Sequence, residues 1–83
     1  MRRVKESLHV VTEDDQSPKM FYRGGNWLHV VSVIDEWREI NNWWDLGGLG
    51  GEMHFYVVLA GNYGVYQLCR DERGNWYLVG VFD

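Results

Sequence analysis

The sequence predicts an all-β domain: five or six antiparallel strands in a meander, strongly twisted or closed into a small barrel. Three observations lead there. Short runs rich in Val, Ile, Tyr, Phe and Trp alternate in polarity with a period of two. Glycine- and asparagine-bearing turn signals separate these runs at hairpin spacing. No stretch carries a sustained helical period, although "VIDEWREI" has room for one turn.

The elements follow in order. "SLHVV" (7–11) is either a short strand or part of a tail, and "EDDQSPK" (13–19) gathers acids, Ser and the single proline into a turn or linker. Residues 1–17 are therefore expected as a loosely ordered N-terminal arm or an edge strand, and residues 18–83 as one small β domain. "KMFYR" is a short strand ended by Gly24-Gly25-Asn26. "NWLHVVSVIDEW" is a long strand with Trp27, His29, Val31 and Val33 on one face and Leu28, Val30, Ser32 and Ile34 on the other. Both faces are mostly apolar, which predicts a strand covered on two sides.

"REINNWWDLGGLGGE" breaks the period and supplies a loop. "MHFYVVLA" is the next strand, turned by Gly61-Asn62 into "YGVYQLCRD". "ERGN" then turns into the closing strand "WYLVGVFD".

Composition narrows the function classes. Eighty-three residues make one domain that buries only about 60–65% of its unfolded surface, so large side chains must form the core. Five Trp, five Tyr and three Phe meet that need. The lone cysteine, Cys69, rules out an internal disulfide and any multi-thiolate metal site. Eight Lys and Arg against twelve Asp and Glu give a net charge of −4, which argues against a duplex-DNA binder. With neither a signal-peptide pattern nor a membrane-length apolar run, a cytoplasmic location is expected.

Catalytic and metal chemistry find little support. "GGLGG" lacks the Lys-Ser/Thr of a phosphate loop and is followed by Glu52. His9, His29 and His54 have no paired ligand spacing, although His29 and His54 could meet as cross-strand neighbours. Neither Cys69 nor any Ser or Thr stands in a nucleophile pattern. Asp35, Glu36, Glu39 and Asp45 read as a solvated rim around Trp37 and the tandem Trp. The expectation is a protein that is not an enzyme and uses no cofactor.

The aromatic residues carry the functional reading. Trp43 and Trp44 are adjacent, so in an extended segment they point to opposite sides and only one enters a core easily. The other packs on a neighbour, stacks on an arginine such as Arg23, Arg38 or Arg70, or meets a partner.

The run "FYRGGNWLHVVSVIDEWREINNWW", then "GVYQL", then "RGNWYLVGVFD" resembles a small bacterial domain-of-unknown-function family over residues 18–83. That family is similar to the C-terminal region of ImuB, the catalytically inactive Y-family polymerase homologue of damage-induced mutagenesis. The resemblance implies a non-catalytic interaction module of bacterial DNA-damage tolerance, docking on a protein of the translesion-synthesis machinery through an aromatic patch. Trp43 and Trp44 are the expected anchor rings, with Arg38 and Arg23 as stacking or hydrogen-bonding cations. The alternative is single-stranded DNA binding through the same rings with Arg70 and Arg73. Either a monomer or a homodimer fits.

Overall fold

The structure, a computed structural model, describes residues 1–40 and 51–82. These residues form six strands and no helix: β1 (Arg2–Thr12), β2 (Pro18–Arg23), β3 (Asn26–Ile40), β4 (Glu52–Ala60), β5 (Val65–Arg70) and β6 (Trp76–Phe82). Each strand pairs antiparallel with the next, and β6 returns to β1, so the meander closes into a ring.

Two long strands make the closure. The first part of β1 pairs with β6 (Leu8 opposite Trp76), and its last residues pair with β2 (Val10 opposite Phe21). Similarly, β3 pairs with β2 through Asn26–His29 and with β4 from Val30 to Ile40. Where the sequence left residues 1–17 between a loose arm and an edge strand, the structure has a strand bonded to both neighbours. The "VIDEWREI" run is strand as well, and β3 continues three residues past its expected end at Trp37, with two register slips within it.

Turn chemistry agrees with the residues present. Gly24 and Gly25 form a two-residue hairpin with φ of 61° and 84°, a left-handed pair that suits a type I′ turn. The β1–β2 turn is held by Asp15, whose carboxylate accepts from the Ser17 hydroxyl (2.6 Å) and amide (3.0 Å). Those two bonds hold the Asp15 carboxyl below its ordinary pKa.

In the β5–β6 turn the carboxylate of buried Asp71 accepts from the amides of Arg73 and Asn75, both at 2.9 Å, and from the Tyr77 hydroxyl at 3.2 Å. Asp71→Ala is expected to lower unfolding free energy by about 2 kcal/mol, because those donors lose a charged acceptor. A denaturant melt checks this.

The core fills the ring interior: Phe21, Tyr56, Val58, Leu68 and Leu78 are at most 1% exposed, with Tyr66 and Trp76 beside them. A second cluster of Met53, Phe55 and Cys69 lies on the opposite face of β4 and β5, because Phe55 and Cys69 alternate with Tyr56 and Leu68.

Burial pushes the Cys69 thiol from its ordinary 9.0 up to about 12, with Asp71 and Glu39 adding to it. Burial also raises Tyr56 and Tyr77. A folded thiol that holds its proton more tightly than the unfolded one contributes stability below about pH 9 and loses it as pH rises toward 12. Melting temperature is therefore expected to fall through that window, and Cys69→Ala to flatten the fall. A scan of melting temperature against pH for both proteins checks it.

Candidate interaction surface

Alternation in the β1–β2–β3 half of the ring sends one set of side chains inward and leaves the other bare. Val10, Phe21, Leu28 and Val30 pack on the core. The residues between them face out: Val11, Met20, Tyr22, Trp27 and Val31. Cross-strand register gathers them, with His9 opposite Tyr22, Tyr22 opposite Trp27, and Met20 between Val11 and His29. Tyr22 and Trp27 meet edge to face, centroids 5.4 Å apart at 65°.

This face corrects the expectation that β3 is covered on both sides. Trp27 is 48% exposed, Val31 64% and Ile34 57%, and Val33 and Ile40 are exposed too. A six-stranded ring has one interior, so only one side of each strand can enter it. Large apolar side chains gathered on an outer sheet face point to an interaction surface, because isolated soluble domains limit such patches.

The arginines take other positions. Arg23 follows Tyr22, so it turns to the opposite side of β2, where its Cζ lies 5.7 Å from the centre of the Tyr66 ring. Its Nε is buried without a hydrogen-bond partner. Arg38 stands in the far part of β3, opposite His54, with its Nη1 3.8 Å from Glu52 and both side chains well exposed. Arg23 pairs with Asn26, twelve positions before Arg38, so the structure does not bring these two cations together. Trp43 and Trp44 lie outside the described residues.

A polar cluster sits at one mouth of the ring. Arg70 donates from Nη1 to the Gln16 carbonyl (2.8 Å) and from Nη2 to His54 Nδ1 (3.2 Å), and its Cζ sits 5.6 Å from the centre of the Trp76 ring. Because Arg70 can only donate, His54 Nδ1 is an acceptor there. Its Nε2 then carries the proton and donates to Glu36 at 3.2 Å. The Tyr56 hydroxyl also lies 3.2 Å from Nδ1. Both imidazole nitrogens are thus engaged, and the cluster ties the β1–β2 turn to β3, β4 and β5. His29 is opposite Met20, so the two histidines are not cross-strand neighbours. Among the described residues, no three His, Cys, Asp or Glu side chains converge as metal ligands.

Sequence reasoning assigned Trp27 to a face but not to the surface, and it passed over Tyr22. The readable signal was the hairpin: a two-residue turn fixes Arg23 opposite Asn26, which places Tyr22 beside Trp27.

A family described as a domain of unknown function (DUF6504) has a model that matches residues 1–83. No curated protein and no solved structure matches the chain.

Proposed function

The chain belongs to this domain-of-unknown-function family, and from that premise we propose that it is a non-catalytic interaction module that docks on another protein through the outer face of β1, β2 and β3. One observation carries the reading: Tyr22 and Trp27 form a half-exposed aromatic pair, with His9, Met20 and His29 beside it and Val11 and Val31 farther along the same outer face. Exposed aromatic rings with methionine beside them are what protein interfaces use at their centres. On the sequence resemblance alone, of residues 18–83 to the C-terminal region of ImuB, the partner is sought in the bacterial translesion-synthesis machinery.

The face has few of the features a nucleic-acid surface needs. Arg70 spends its donors inside the molecule, and Arg23 turns away from Trp27. Phosphate recognition requires cations beside the stacking rings.

Affinity measured at low and physiological salt tests the choice. The purified translesion-synthesis proteins are titrated in turn into the domain, alongside a short single-stranded DNA. One of the proteins is expected to bind with an affinity that changes little with salt. Binding by DNA alone, weakening steeply with salt, would overturn the proposal in favour of the single-stranded alternative.

A further inference from the structure

The other outer face of the ring carries a cavity of about 390 Å³, within the range of small-molecule sites and near its lower end. The rings of Trp37 and Phe55 stack there with centroids 5.3 Å apart at 11°, and Val79 extends the apolar lining. These residues lie with Met53 and Cys69 in the second apolar cluster, separate from the ring interior.

The remaining wall comes from β1. Arg3 and Lys5 line the cavity from the outer side of the strand. Val4 between them borders it but packs on the ring core, as strand alternation requires. Gly80 serves the same wall, since a Cβ there would lie 2.6 Å from the Met1 sulfur.

Two cations of the lining stand against one acid. Arg3 and Lys5 are exposed and neither is ion-paired among the described residues. Glu39, the single acid of the lining, already makes an interaction of its own. An aromatic floor beside two adjacent cations suits a ligand with an apolar body and an anionic end.

We propose that this cavity binds a small amphipathic carboxylate, its hydrocarbon or aryl body against Trp37, Phe55 and Val79 and its carboxylate between Arg3 and Lys5. Apolar burial supplies the affinity, and the cations select the charged end. The site shares no residue with the Tyr22–Trp27 face, so the two readings stand or fall separately.

The test titrates decanoate, below its micelle concentration, into the full ¹⁵N-labelled chain, with decanol as the neutral counterpart. Decanoate is expected to saturate and to shift the Trp37 indole and the Lys5 and Val79 amides. The doubly substituted Arg3→Gln, Lys5→Gln variant, altered only at exposed positions, is expected to lose at least tenfold in decanoate affinity while keeping its decanol affinity. Shifts centred on Trp27, an absence of saturation, or a variant that binds decanoate as the parent does would each overturn the proposal.

Discussion

Leu68→Ala is expected to destabilise the domain by about 3 kcal/mol, lowering its melting temperature by roughly 12–24 °C. Leu68 is fully buried on β5, opposite both Tyr56 and Leu78, and all three belong to the ring core. Every flanking strand is hydrogen-bonded on both sides, so the ring has little freedom to collapse into the space left behind. A domain of this length has a total stability of roughly 4–12 kcal/mol, and one such cavity removes a large share of it. Val31→Ala, at a position 64% exposed, is expected to change stability by no more than about 0.5 kcal/mol. Thermal unfolding of both variants gives the comparison. A loss below about 1 kcal/mol at Leu68 would mean that the ring interior is not the packed core described here.

Trp27→Ala is expected to separate binding from folding. Nearly half of the Trp27 side chain faces solvent, and its ring contact is with the equally exposed Tyr22. Truncation should therefore cost about 1 kcal/mol or less of stability, the scale of one aromatic pair. At a docking anchor the same change removes about 2 kcal/mol or more of binding, close to thirtyfold in affinity. Melting temperature and partner affinity measured on one preparation check the pair of values. A large drop in melting temperature would make Trp27 a structural residue. A small drop with unchanged affinity would place docking elsewhere.

Much of the fold was legible because its signals are local. Alternation located the strands, and Gly24-Gly25, Gly61-Asn62 and "ERGN" located three turns. Closure stood only as one of two alternatives, beside a strongly twisted sheet, because the pairing of Leu8 with Trp76 joins the two ends of the chain and leaves no local pattern. Nor does alternation state which face of a strand is covered. Trp27 and Val31 share the outer face as expected, but the slip between Val30 and Ser32 sets Val33 opposite the core residue Val58, and the cover expected over the outer face is absent among the described residues. The direction of Arg23 follows from parity with Tyr22, but its place over Tyr66 depends on a β5 residue far along the chain. The cavity was the least accessible, since it brings Arg3 and Lys5 from the start of the chain together with Trp37, Phe55 and Val79 from three other strands.

The chemical-shift map of the ¹⁵N-labelled domain at saturation with its protein partner tests the central claim most directly. The largest changes are expected at Val11, Met20, Tyr22, Trp27 and Val31, with Arg38 and Val79 little affected. A map centred on Arg38, or on the mouth held by His54 and Arg70, would contradict the assignment of the β1–β2–β3 face as the docking surface.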